Sequence, residues 1–285
     1  MAMTINTNIN SLDAQRNASA TQMSLSTSIQ RLSSGLRVNS AKDDAAGLSI
    51  ATRMDSQARG MNVAIRNAND GISMLQTAES GMQTVSDMLQ RMRELTVQAT
   101  NATNTSADIN SLNQEYTQLS QEVGRTISAV QFNGQTLLTT TAAGGLDFQV
   151  GANAGQTINV GSAALNLDQS SISGVLSGGA NAASSLDITT NLNNSANLAV
   201  IDSALQAVND ARANIGAAQS RFQNTINFLQ SASENQTAAK GRIMDADFAS
   251  ETANLSRAQI LQQAGTAMIA QANQLPQQVL SLLKG

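Results

Sequence analysis

The chain has 285 residues, 16 basic against 20 acidic for a formal charge of −4, one proline, and no histidine, cysteine or tryptophan. Without His or Cys the common zinc sites, the Ser-His-Asp and Cys-His nucleophile systems and imidazole proton transfer are excluded, and no disulfide can form. Aromatic residues are 2% and charged residues 13%, so solubility rests on Asn, Gln, Ser and Thr, and the acidic balance offers no basic footprint for nucleic acid.

The start, Met1 to Ala20, has Asn or Ser every few residues and lacks a charged region followed by an apolar block, so no cleaved secretory signal is expected. No run approaches the ~18 consecutive apolar residues of a membrane span, so no membrane partner is expected either. The first helical segment runs from about Asn8 to Leu36. Ile5, Ile9 and Leu12, then after a phase shift Leu25, Ile29, Leu32 and Leu36, recur at helical steps up to the break at Ser33-Ser34-Gly35. A second segment starts from Asp43 and Asp44 as N-caps and reaches about Thr100, with Ile65, Ala68, Ile72, Leu75, Met82 and Leu89 on one stripe. After the polar turn at Asn101 to Ser106, a third carries Ile109, Leu112, Tyr116, Leu119, Val123, Ile127 and Val130.

The period then changes to two. Short strands are predicted at Thr136 to Thr140, Leu146 to Val150 and Thr157 to Val160, with Asn133-Gly134 as a tight turn. Residues 170–196 are nearly all Ser, Gly, Ala and Asn, too poor in apolar area for a second large core. A fourth helical segment spans about Asn197 to Ala239, in one register from Leu198 to Leu229. At about 1.5 Å per residue it is roughly 60 Å long, which predicts an elongated rod of long antiparallel helices. The fifth runs from about Phe248 to Leu283, where Leu261, Gly265, Met268, Ala272, Leu275, Val279 and Leu282 alternate steps of four and three. Pro276 inside it removes one backbone bond and is expected to kink or weaken that turn. The fold class is therefore mainly α, with paired N- and C-terminal helices and a small β-hairpin region. The two terminal seams are the predicted assembly surface.

Several motifs carry a family resemblance. The sixteen residues from Leu32 to Gly47 (Leu-Ser-Ser-Gly-Leu-Arg-Val-Asn-Ser-Ala-Lys-Asp-Asp-Ala-Ala-Gly) closely resemble the N-terminal signature of bacterial flagellin. Gln90-Arg91-Met92-Arg93-Glu94-Leu95, Gln131-Phe132-Asn133-Gly134, and Ala264 through Leu283 with Pro276-Gln277-Gln278-Val279-Leu280-Ser281-Leu282-Leu283 are similar to three further blocks of that family, in order. The resemblance covers about residues 1–150 and 197–285. It departs in the middle, where many flagellins carry extra outer domains.

The resemblance implies an inner domain from 1–40 and 245–285, a helical rod with a β-hairpin from 41–143 and 197–244, and a short variable region at 144–196. It implies a non-enzymatic subunit without cofactor, exported by the flagellar type III apparatus and polymerised into the extracellular filament used for motility. The alternative within the same superfamily is the hook–filament junction protein. The partners it implies are the chain itself, the export chaperone, the cap protein, hook-associated proteins and the vertebrate Toll-like receptor for flagellin. Arg91, Leu95 and Glu115 match the positions that receptor recognises, and Leu280, Leu282 and Leu283 match leucines read by cytosolic innate sensors. Read as bare residues, Arg91 and Glu115 are solvated helix charges. Asp43, Asp44, Asp245 and Asp247 read as caps and loop carboxylates rather than a metal cluster, and the eleven methionines as flexible core filling.

Overall fold

The computed structural model describes residues 8–139, 145–167, 172, 175 and 194–284, with the side chains of 163, 194–196 and 275–284 outside that description. Five long helices carry the fold: α1 (Ile9–Ser34), α2 (Ala45–Ala99), α3 (Ser106–Ala129), α5 (Asn194–Met244) and α6 (Phe248–Lys284). Strands β1 (Gln131–Phe132), β2 (Gln135–Thr136), β3 (Leu146–Gln149) and β4 (Thr157–Val160) and the one-turn α4 (Ser162–Leu165) lie between α3 and α5. The chain divides into two compact units, residues 1–56 with 235–285, and residues 57–234. That division assigns the start of α2 and the end of α5 to the unit of the termini, beyond the boundaries that the resemblance implies.

Helix ends are set by local chemistry. Asp44 is the cap of α2, its Oδ1 accepting from the Gly47 amide at 2.7 Å. Asp43 does a different job: its Oδ2 accepts from the Asn39 and Ser40 amides and the Ser40 hydroxyl, closing the preceding loop. The Ser40 amide and hydroxyl, then the Asn39 amide, hold its carboxyl below the ordinary range. Thr105 and Asp108 form a reciprocal capping box at the start of α3. Asp247 accepts from the Ala249 amide at the start of α6. The last helix continues through Pro276 to Lys284.

In the unit of residues 57–234 the core is a heptad seam. On α2, Leu75, Ala78, Met82, Val85, Leu89 and Met92 are buried at steps of three and four, and on α5 Ile201, Ala204, Val208, Ala211, Ile215, Ala218 and Phe222 follow the same rhythm. A mean spacing of 3.5 keeps each stripe facing its partner over many turns. From α3, Tyr116, Val123 and Ile127 enter the same core. Arg93 on α2 donates to Asp202 on α5 at 2.7 Å.

Two antiparallel hairpins dress this core. The β3–β4 hairpin pairs Leu146 with Val160 and Phe148 with Ile158. It leans on α2, where Asn67 Nδ2 donates to the Gln149 carbonyl at 3.0 Å, and on α5, where Phe148 meets Phe222 edge to face at 5.4 Å. The β1–β2 hairpin turns at Asn133-Gly134, where both residues have positive φ (50° and 79°), as a two-residue turn of the primed class requires. The strand predicted at 136–140 ends at Thr136. Leu137 and Leu138 are both buried, which breaks the alternation a strand needs, and Thr140 lies outside the described residues.

In the unit of the termini, α1 and α6 pack along each other. A bridge between Leu36 and Asp245, and bonds from the Arg37 amide to the Met244 carbonyl (2.6 Å) and from Ala246 to the Gly35 carbonyl (2.9 Å), join the loops beside them. Gly35, with φ 72°, supplies the left-handed stop that ends α1. Lys240 on α5 reaches Asp55 on α2 at 2.6 Å.

Candidate assembly surface

The inner seam between α1 and α6 is built mostly of small and polar residues, with Leu25, Leu255 and Ile269 among them. On α1 the inward positions are Asn8, Ser11, Ala14, Ala18, Thr21, Leu25 and Ser28; on α6 they are Glu251, Leu255, Ala258, Gln262, Gly265, Ile269 and Ala272. The α6 set alternates steps of four and three throughout, and the α1 set alternates three and four from Ser11. The Asn8 side chain caps α1 through the Ser11 amide and also crosses to donate to the Ala272 carbonyl at 2.7 Å. Ser11 Oγ donates to Asn273 Oδ1 at 2.7 Å. A Cβ placed on Gly265 would meet the Ala18 Cβ at 3.5 Å, so the two backbones lie close. At the other end Glu251, 8% exposed, faces Arg31 at 3.9 Å.

This arrangement corrects the predicted seam. Gly265 and Ala272 do lie on the inner face, but Ile9 (59% exposed), Leu12 (55%), Leu261 (51%) and Met268 (62%) point outward. Those four sit one position away from the inward set. The physical reason is the close approach of the pair at Ala18 and Gly265, which favours small side chains at that contact and leaves these four bulky side chains on the outward faces. Ile5 and the side chains of Leu275, Val279, Leu280, Leu282 and Leu283 lie outside the described residues. Met23, Ile29, Phe248 and Ile260 join the outward set; Met23, Phe248 and Ile260 were missed because they fall off the stripe that the largest apolar residues mark.

Beside the outward residues run two open grooves. One, of about 570 Å³, is lined by Ala14, Ala18, Leu261, Ala264 and Met268 among others. The second, of about 670 Å³, is more polar and has Met23, Thr27, Arg31, Arg257 and Leu261 in its walls. Covering a bulky apolar side chain contributes about 1.5–3 kcal/mol, so a second surface closing on such a face would be stabilised.

In the unit of residues 57–234, Arg91 Nε donates to Glu115 Oε1 at 2.8 Å and its Nη1 to Glu94 Oε2 at 3.1 Å, with both Arg91 and Glu115 about half exposed. Glu115, then Glu94, push the guanidinium further toward its charged form. Leu95 is elsewhere: it is fully buried in the helical core, so it cannot be a surface contact as the resemblance implies. It falls on the inward stripe between Met92 and Ala99, and its part is to hold the helix that presents Arg91.

The core of residues 57–234 is closely packed, while the terminal helices carry several of their large apolar residues outward. Among the described residues there is no group of acidic side chains able to hold a metal ion, and no helix long and apolar enough to cross a membrane. The bacterial flagellin N-terminal helical region matches residues 5–143 and the C-terminal helical region matches residues 198–283. A flagellin of Halalkalibacterium halodurans is 44% identical over 99% of this chain and all of its own length. Flagellin FlaB2 of Treponema pallidum is 38% identical over 99% of this chain and all of its own. The crystal structure of Bacillus cereus flagellin is similar over 61% of this chain and 94% of that one, at 28% identity and a TM-score of 0.48. The chain belongs to the bacterial flagellin family, the subunits of the extracellular flagellar filament.

Proposed function

We propose that the outward apolar face of α1 and α6 is the surface through which this flagellin packs against further copies of itself in the filament. One observation carries the reading: nine of the twelve large hydrophobic side chains exposed among the described residues lie in the unit of the termini, the smaller of the two. Family membership identifies the occupant as a second copy. The role is structural, with no catalytic step. The same reading includes export by the flagellar type III apparatus, with the export chaperone, cap protein and hook-associated proteins as partners on the way.

Leu261→Asp and Leu12→Asp test it, because a charge without a partner in a closed apolar interface costs at least several kcal/mol. Added to filament seeds, both variants should fail to elongate while their helical circular dichroism is retained. Normal elongation would overturn the assignment. A hook–filament junction protein would add in few copies, so unlimited growth of wild-type protein on seeds separates the two readings.

We further propose that the half-exposed Arg91–Glu115 pair is the element of this chain that the vertebrate Toll-like receptor recognises. The support is chemical: two opposite charges, each partly free, bridge neighbouring helices and present both a donor and an acceptor to a partner. Leu280, Leu282 and Leu283 remain proposed for cytosolic sensors on the family resemblance alone.

A further inference from the structure

The chain has no cysteine, histidine or tryptophan, so its softest groups toward oxidants are its eleven methionines. Their surroundings differ sharply. Met74, Met82 and Met92 are at most 4% exposed, Met54, Met61, Met88 and Met244 are half-buried, and Met1 and Met3 lie outside the described residues. Met23 and Met268 stand apart at 65% and 62% exposed. Both belong to the terminal helix pair, Met23 on α1 and Met268 on α6, and each lines one of its two open grooves. Leu261 borders both grooves, so the two thioethers flank adjoining surfaces, mainly apolar beside Met268 and more polar beside Met23.

We infer that Met23 and Met268 are oxidation sites that control assembly, a proposal that rests on the assembly reading above. The co-reactant is a peroxide. The thioether sulfur attacks one peroxide oxygen, an S–O bond forms as the O–O bond breaks, and the displaced hydroxide takes up the proton of the transferred oxygen to leave as water. Sulfur loses two electrons and the peroxide gains them. The product is a polar sulfoxide with a strong acceptor oxygen where an apolar side chain stood. In the free subunit this costs little, because both side chains face water. In a closed interface the new oxygen loses its water, and beside the mainly apolar groove at Met268 that loss is least compensated, so copies carrying it are rejected. Methionine suits such a position because it packs as an adaptable apolar group until it is oxidised, and a reductase can restore it.

The test treats the full-length monomer with limiting hydrogen peroxide, follows each methionine by peptide mass spectrometry, removes the peroxide and adds filament seeds. Sulfoxide at Met23 and Met268 should form about tenfold or more ahead of sulfoxide at Met82 and Met92, in line with exposure. Elongation should fall in step with it at unchanged circular dichroism, and methionine sulfoxide reductase should restore it. The Met23→Leu, Met268→Leu double variant, close in volume to the parent, should elongate equally well before and after peroxide. Met268→Gln, polar without oxidant, should elongate poorly. Oxidised wild-type protein that elongates like untreated protein, or a double leucine variant as sensitive as wild type, would overturn the proposal. If untreated wild-type protein itself does not elongate on seeds, the assembly reading fails, and this control fails with it; that result is distinct from unimpaired growth of oxidised subunits.

Discussion

Gly81 and Gly216 offer the same substitution in opposite surroundings. Both sit inside long helices, where glycine is less favourable than alanine by about 1 kcal/mol, so Gly→Ala carries the same backbone gain at either place. Gly216 is exposed, and an added Cβ meets nothing within 4 Å. At Gly81 the added Cβ overlaps Val130 Cγ2 and falls 3.2 Å from Val130 Cγ1 and 3.4 Å from Leu138 Cδ1. Carbon atoms rest at about 3.5–4.0 Å, so the first contact is a full overlap. Val130 cannot retreat cheaply: its amide is bonded to the Thr126 carbonyl and its own carbonyl accepts from Leu137, both at 3.0 Å. Overpacking of this kind costs about 1–3 kcal/mol, and the short distance puts Gly81 at the upper end, for a net loss of about 2 kcal/mol. With about 2–4 °C per kcal/mol for a unit of this size, Gly216→Ala should raise the thermal midpoint by about 2–4 °C and Gly81→Ala should lower it by about 4–8 °C. Thermal circular dichroism of the two variants beside the parent reads the result. If Gly81→Ala is as stable as Gly216→Ala, the seating of the α3–β1 junction on α2 is not tight and the argument is refuted.

The buried Tyr116 hydroxyl has no hydrogen-bond partner among the described residues, and burial pushes its pKa from 10.0 up to about 12. The raised value means that its stabilisation is present below pH 10 and is lost as pH climbs through about 12, roughly 2–3 kcal/mol in all; urea midpoints across that window should fall for the parent and fall less for Tyr116→Phe. Leu95→Ala should cost about 2–5 kcal/mol in denaturant unfolding because it opens a cavity in the core, whereas Val97→Ala, at half-exposed Val97, should stay within about 0.5 kcal/mol. Arg91→Ala and Glu115→Ala should each lower receptor-reporter signalling by monomer with little change in thermal midpoint, since exposed ion pairs contribute little to stability; wild-type signalling by both would return the pair to ordinary solvated charges.

The long helices were legible because their apolar residues repeat at near-heptad spacing over many turns, which no strand or loop mimics. Leu75, Met82 and Leu89 on α2 and Ile201, Val208, Ile215 and Phe222 on α5 lie where that pattern puts them, in the interior. The same rule misplaced the terminal seam by one residue, because it assumes that the largest apolar side chains face the chain's own interior. In α6 that assumption selects Leu261 and Met268, whereas the inward face is Ala258, Gln262, Gly265 and Ile269. Leu95 went astray for a related reason: a motif shows which residues recur together and not which of them point outward, and its place three residues from Met92 and four from Ala99 is an inward one. Asp43 and Asp44 were indistinguishable as caps until the loop geometry gave each a different set of amides.

The bond from Asn8 to the Ala272 carbonyl spans 264 residues of chain. Joining ends so far apart closes a loop of nearly the whole polypeptide, and the entropy of that closure rises by about 0.6 kcal/mol for each doubling of loop length. Folding the intervening helices first shortens the effective loop, so the pairing of α1 with α6 is expected to come last. It also requires both ends to be present. A chain synthesised or delivered from one end has no α1–α6 pair until its final forty residues or so arrive, and a chain truncated before them never forms it. On the proposed assembly reading, competence to join the polymer is thereby tied to that pairing: the surface proposed to recruit the next copy exists only where α1 and α6 have found each other.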